Sequence, residues 1–305
     1  MDDITIDRLR IKNKGESYSM LKTRALSKLV GIVQITRPKV SIVAALYTLM
    51  GAYLGGNATN LLSPTVLRAV LIVYLIVSFS FAINDYRDVS EDSLNHPERP
   101  IPSGIISRRI AGILSWILVL TALTLALTLG SFLIVIALLM IVLSTFYSYY
   151  LKNTVLLGNA VVALSNASIV VYGSLAVNKL IPAIWIISLL TFLYSIAQEI
   201  LFAVGDREGD ALAGKCTTAT YLGTTHALYL FQFFAFNFII VAIAVWFLGL
   251  APDRFLYAMV PCSILPLLGI MILLSRKAAN NHVYLAIRVI KFVRLFSLLP
   301  GVLLK

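Results

Sequence analysis

Long apolar runs, separated by short polar stretches, set the pattern of this chain. Residues 69 to 83 read AVLIVYLIVSFSFAI, without one charge. A helix of about 18 or more apolar residues is long enough to cross the hydrocarbon core of a bilayer. Nine such stretches follow one another, at 40–56, 66–84, 108–129, 131–149, 155–176, 181–204, 226–249, 254–275 and 283–302. Gly or Pro marks many of their ends, among them Gly55, Gly56, Pro64, Pro97, Gly130, Pro182, Gly205, Gly249 and Pro252. The pattern predicts an all-α membrane protein of nine transmembrane helices. It divides into a basic segment over 1–39 and a single membrane domain over 40–305.

Composition agrees. Hydrophobic residues make up 59% of the 305 positions and charged residues only 13%, against roughly 25% in soluble domains. The first 39 residues are polar and basic and do not read as a cleavable signal peptide. Nine of the 25 Lys and Arg residues precede position 40. Beside a first span, such cations signal topology and contact with anionic lipid, not nucleic acid. With the N-terminus in the cytoplasm, alternation puts the 85–107 loop, Arg108, Arg109, Lys152, Arg207, Lys215, Arg276 and Lys277 on the cytoplasmic side. Only Lys179 and Arg254 fall in the opposite loops. That asymmetry follows the positive-inside rule. Cys216 and Cys262 form no CxxC, and the three histidines are scattered. Neither a disulfide framework nor a zinc site is expected.

The acids are less evenly spread. Nine of the 14 lie within 84–98 and 199–210, just after the second and sixth spans. Asn84, Asp88 and Asp92 are spaced by four, and so are Asp206 and Asp210. On a helix this spacing stacks side chains on one face, where like charges repel. Each acid held at membrane depth costs roughly 2.5–3.5 kcal/mol. One acidic residue after a span is usually a solvated helix end. Two groups with the same spacing, on the same predicted side, call for a neutralising partner. Clustered oxygen ligands suit Mg²⁺ or Ca²⁺, and Mg²⁺ commonly bridges carboxylates to substrate phosphates. Lys152, Arg99 and Lys215 are placed to clamp a diphosphate. Tyr147 and its neighbours Tyr149 and Tyr150 either line a tunnel or form an interfacial belt. Arg288, Lys291 and Arg294 share a face of the last span, where they either line the cavity or snorkel to the headgroups, snorkelling being the expected arrangement. An ion-coupled transporter would need acids near the midplane and broken helices. Here the acids lie at helix ends and beyond.

These residues resemble the UbiA superfamily of intramembrane prenyltransferases. Its first motif, NDxxDxxxD, is matched in full by Asn84, Asp85, Asp88 and Asp92. Its second, DxxDxxxD, is matched by Asp206 and Asp210, with Ala203 at the first position. Within the superfamily, the stretch from Arg99 to Ser107 and QEILFAVGDREGD are most similar to the archaeal digeranylgeranylglyceryl phosphate synthase group. Gln198 stands where that group has Arg.

The resemblance implies helices bundled around a central cavity, with short capping helices on the cytoplasmic side. It also implies Mg²⁺ held by Asn84, Asp88, Asp92, Asp206 and Asp210. Diphosphate leaves the donor, and a nucleophile captures the allylic cation. The implied donor is a prenyl diphosphate such as geranylgeranyl diphosphate. The implied acceptor is lipophilic: geranylgeranylglyceryl phosphate in ether-lipid synthesis, with an aromatic acceptor as the alternative. Asp85 then supports the metal ligands or the acceptor, and Arg37 anchors the acceptor's phosphate.

Overall fold

The computed structural model describes residues 25–275 and 280–305. Arg276, Lys277 and most of the basic N-terminal segment lie outside them. Among the described residues the chain is helical throughout and forms no strand.

A first helix, α1 (25–35), begins inside the segment read as the basic tail. It breaks at Arg37, whose backbone is left-handed (φ 44°), and restarts as α2, Pro38–Gly55. The sequence explains the break. Proline disfavours the helical conformation in the residue before it, yet suits the first turn of the helix that follows. Pro64 and Pro182 open α3 (Pro64–Arg87) and α8 (Pro182–Gly205) in the same way. Ser63 caps α3 by accepting a hydrogen bond from the Val66 amide, and Ser107 caps α5 (Arg108–Ala126) through the Ile110 amide.

Short helices follow both acidic ends: α4 (Val89–Asn95) after α3, and α9 (Arg207–Leu212) after α8. Between them run α6 (Ser131–Phe146) and α7 (Leu157–Leu175). Next comes α10 (Thr218–Phe247), interrupted by Gly223 at φ 76°. The hydropathy pattern places the start of this span at 226, just past that break. The remainder is α11 (Asp253–Met259), α12 (Leu265–Ser275), α13 (Asn280–Phe296) and α14 (Leu298–Val302).

Eight helices among the described residues are long and apolar enough to cross a membrane, and they coincide with eight of the nine expected spans. The ninth expected span, 283–302, falls on α13 and α14, which are separated at Ser297. At 17 residues, with Arg288, Lys291 and Arg294 among them, α13 is too short and too polar to join the other eight. Large apolar side chains such as Trp116, Phe132 and Leu120 face outward, as lipid contact requires.

α8 lies at the centre of the bundle, against α7, α10 and α13, and α2 packs on α7 and α3. The α2–α7 crossing is unusually close. A Cβ on Gly173 would lie 1.9 Å from the Thr48 carbonyl oxygen, and one on Gly51 would lie 2.1 Å from that of Val170. Small residues of this kind let membrane helices approach backbone to backbone. Gly173→Ala and Gly51→Ala are each expected to destabilise the protein by about 1–3 kcal/mol, the usual cost of overpacking. The readout is a lower melting temperature in detergent. Unchanged melting in both variants would contradict the close crossing.

Candidate active site

The charged residues singled out in the sequence come together at one end of the bundle, where α3 and α8 both end. Asp85, Asp88 and Asp92 are all buried there, with 3–4% of their surface exposed. Each meets a cation supplied by a different segment. Arg37, at the break between α1 and α2, places a guanidinium nitrogen 2.7 Å from Asp85. Arg99, in the loop before α5, lies 2.5 Å from Asp92 and 3.6 Å from Asp85. Lys152 bonds Asp88. Lys215 lies 3.6 Å from Asp88 and 3.1 Å from Glu91.

Local backbone features deliver these cations. α6 does not stop cleanly. It widens into a π turn over Tyr147–Leu151, and Lys152 follows directly. Such insertions re-aim the residues after them and recur at functional sites. Lys215 follows Gly214, whose φ of 70° turns the chain out of α9. Burial works against the charge on Lys215, but Asp88 and Glu91 outweigh it and hold its pKa above the ordinary lysine value. Burial likewise opposes the Arg99 charge and is outweighed, first by Asp92.

The second acidic group joins the first through α4 and α9. The Asn95 amide donates to Asp210 at 3.3 Å, and the His96 ring nitrogen lies 3.4 Å from Asp206. Burial raises the pKa of Asp210, partly offset by Lys215. The two short helices touch through Gly209, where a Cβ would lie 1.7 Å from the Asn95 side-chain oxygen. Tyr147 faces the same region, within electrostatic reach of Asp88, Asp206 and Asp210. A cavity of about 70 Å³ opens at this end, lined by Asp88, Glu91, Tyr149, Lys152 and Lys215 among others. That volume holds a few waters.

Arg37, read from sequence as an anchor for an acceptor phosphate, pairs here with Asp85 and stacks over Phe81, 4.5 Å from the ring centroid. One expectation changes. Arg294 does not snorkel with the exposed Arg288 and Lys291. It turns inward and donates to Asn166 on α7 at 3.1 Å. The sequence reading assigned no role to Asn95, His96, Asn166 or Glu199. Glu199 alone carried a signal, because it lies seven residues before Asp206 on the same helical stripe.

The residues fit an oxygen-ligated cation. Asn84 and Asp92 each bury a side-chain oxygen that has no hydrogen-bond partner among the described residues, an arrangement that is costly unless a ligand completes it. Among those residues no three acids, histidines or cysteines gather tightly enough to hold a metal unaided. That suits Mg²⁺, which takes a few protein oxygens and completes its shell with water and substrate phosphate.

Comparison with known proteins shows the family and the fold. The profile of the UbiA prenyltransferase family matches residues 44–290. The chain belongs to that family. Its digeranylgeranylglyceryl phosphate synthase relative from Thermococcus gammatolerans is 31% identical over 284 residues, covering 91% of this chain and all of the relative. The synthase of the same name from Korarchaeum cryptofilum is 37% identical over 202 residues, covering 65% of this chain and 69% of the relative. A solved digeranylgeranylglyceryl phosphate synthase structure superposes with a TM-score of 0.71 at 24% identity, over 91% of this chain and 98% of that one. A UbiA homologue from Archaeoglobus fulgidus, solved with DMAPP and Mg²⁺, superposes with a TM-score of 0.68 at 20% identity, over 88% and 97%. These superpositions establish the shared fold.

The contact through Gly209 can be tested in this family member. Gly209→Ala displaces Asn95 and breaks its bond to Asp210. Misplacing one acidic group against the other is expected to lower kcat/KM about 10- to 100-fold, with melting temperature little changed. A variant of full activity would show that the two short helices need not be held together.

Proposed function

We propose that this protein transfers a geranylgeranyl group from its diphosphate to the free hydroxyl of geranylgeranylglyceryl phosphate, with Mg²⁺, at the cytoplasmic face of the membrane. Residues 40–305 then act as one prenyltransferase domain behind a basic cytoplasmic segment, 1–39. The observation that carries the reading is the convergence of both acidic groups with Lys152, Lys215 and Arg99 at one end of an apolar bundle. The relatives named as digeranylgeranylglyceryl phosphate synthases support this acceptor, and the homologue solved with DMAPP and Mg²⁺ supports the donor chemistry.

Asn84, Asp88, Asp92, Asp206 and Asp210 would hold the metal, which when bound supplies Lewis acidity toward the leaving diphosphate. The protein's own groups do the rest. Lys152, Lys215 and Arg99 exchange their carboxylate partners for phosphate oxygens and stabilise the charge that develops there. The C1–O bond breaks and its electron pair leaves with the diphosphate. The apolar interior accepts the prenyl chain and keeps water from the allylic cation. The acidic ends and their short helices α4 and α9 form the cap over this chemistry.

Purified protein given Mg²⁺, geranylgeranyl diphosphate and geranylgeranylglyceryl phosphate should yield the doubly prenylated glycerol phosphate, identified by mass. EDTA should abolish transfer and Mg²⁺ restore it. Asp88→Asn should lower the rate at least ~10²-fold, as loss of one group that stabilises transition-state charge does. Prenylation of an aromatic acceptor alone would overturn the acceptor assignment. Undiminished turnover in EDTA would overturn the metal.

Sidedness has its own test. Cysteines placed in 57–65 should react with an impermeant reagent on intact cells, and cysteines in 90–98 only after permeabilisation. The reverse pattern would put the site on the outer face.

A further inference from the structure

Lys152 and Lys215 reach the same carboxylate from two different loops. Lys152 bonds one oxygen of Asp88, and Lys215 lies 3.6 Å from the other. Two ammonium groups on one carboxylate repel each other, so the chain behind them must set their spacing. The two loops meet at Thr218, a buried residue in the first turn of α10. Its hydroxyl oxygen accepts from the Leu156 amide at 2.8 Å and donates to Asn159 Oδ1 at 2.6 Å. Both partners follow Lys152: Leu156 precedes α7 directly, and Asn159 lies in the first turn of that helix. Leu156 has φ 60°, a backbone conformation that a residue with a side chain keeps only where its surroundings hold it. The Thr218 hydroxyl holds its amide there. Toward Lys215 the attachment is equally short. Thr220, in the same turn of α10, donates to the Lys215 carbonyl at 2.8 Å. Gly223, at φ 76°, separates this turn from the rest of α10. Residues 217–222 thus form a joint of their own between the two lysine loops.

We propose that Thr218 is a positioning residue for diphosphate binding: its hydroxyl locks the Lys152 loop to the Lys215 turn and so fixes the distance between the two ammonium groups. The proposal rests on the reading of Lys152 and Lys215 as diphosphate clamps given above. Once a diphosphate takes the place of Asp88 between the lysines, the joint, rather than a carboxylate, sets how far apart they stand. A hydroxyl suits this task because it accepts and donates at once, and Thr218 uses both capacities. Valine in its place has the same shape but neither capacity. The Leu156 amide and the Asn159 oxygen would lose their partner, and the Lys152 loop its tie to α10.

The test is the calorimetric affinity of the full chain in detergent for inorganic pyrophosphate with Mg²⁺, a probe that needs neither acceptor nor prenyl chain. Wild type, Thr218→Val, Thr218→Ser, Lys152→Met and the double variant Thr218→Val/Lys152→Met are compared. Thr218→Val should weaken binding about 10- to 100-fold, the scale of misplacing a binding group by about 1 Å. Thr218→Ser keeps the hydroxyl and should bind within about threefold of wild type. In the Lys152→Met background Thr218→Val should cost no more than about threefold, because a group that it positions is gone. Should Thr218→Val fail to fold, Thr220→Val, at a less buried position, breaks the Lys215 side of the joint and takes its place with the same expectation. Three results overturn the proposal: binding by the Val variant within about threefold of wild type, Ser as weak as Val, or equal losses with and without Lys152. If wild type binds no pyrophosphate, the diphosphate reading falls and this proposal with it. If wild type binds and the Val variant binds equally well, only this proposal falls.

Discussion

Carboxylates crowded at the end of a membrane bundle must be neutralised, and the architecture of this protein follows from how that is done. Asp85, Asp88 and Asp92 are buried within two turns of one another. Taking one partner from a buried ion pair costs about 3–5 kcal/mol, because a charge is left unpaired in a poor solvent. Each acid therefore needs its own cation. The cations come from far along the chain: Arg37 before α2, Arg99 before α5, Lys152 after α6 and Lys215 before α10. Charge thus ties together segments that apolar packing alone would leave free to slide.

The backbone irregularities of the fold serve the same requirement. Arg37 adopts a left-handed conformation at a break forced by Pro38. The π turn before Lys152 and the left-handed Gly214 before Lys215 each direct a cation toward Asp88. Elsewhere the bundle is regular, and at the α2–α7 crossing it is close enough to require glycine. Rigid packing in the body therefore supports a charged end whose pairs are exchangeable. In the proposed reaction a diphosphate would offer the lysines and Arg99 oxygens of the same kind that the carboxylates now provide, and the freed carboxylates would become available to a cation.

Much of this was legible in the chain. Helix existence and approximate limits followed from apolar length, because a lipid-exposed backbone must satisfy its hydrogen bonds within each segment. Eight spans lie where hydropathy puts them. The acidic groups stood out because charge is rare in so apolar a chain and because their four-residue spacing repeats. Legibility failed where partners are distant in sequence. Arg37 and Asp85 are 48 residues apart, and Asn166 and Arg294 are 128 apart. No local pattern distinguishes an inward arginine from a snorkelling one. Arg288, Lys291 and Arg294 share a helix face, yet among the described residues only the third meets a polar partner on a neighbouring helix.

By itself, then, the sequence determined that the chain is a helical membrane protein, where most helices run, and that polar residues gather in two groups, Asn84, Asp88 and Asp92 in one and Asp206 and Asp210 in the other. Those properties depend on hydropathy and spacing along one chain segment, which are local. Only the tertiary structure decided which cation neutralises which acid, that Asn95 joins the two acidic ends, and that Arg294 turns inward to Asn166. Those outcomes depend on distances between helices, and Coulomb and hydrogen-bond energies change over a few ångströms. A pattern along the chain cannot specify that scale.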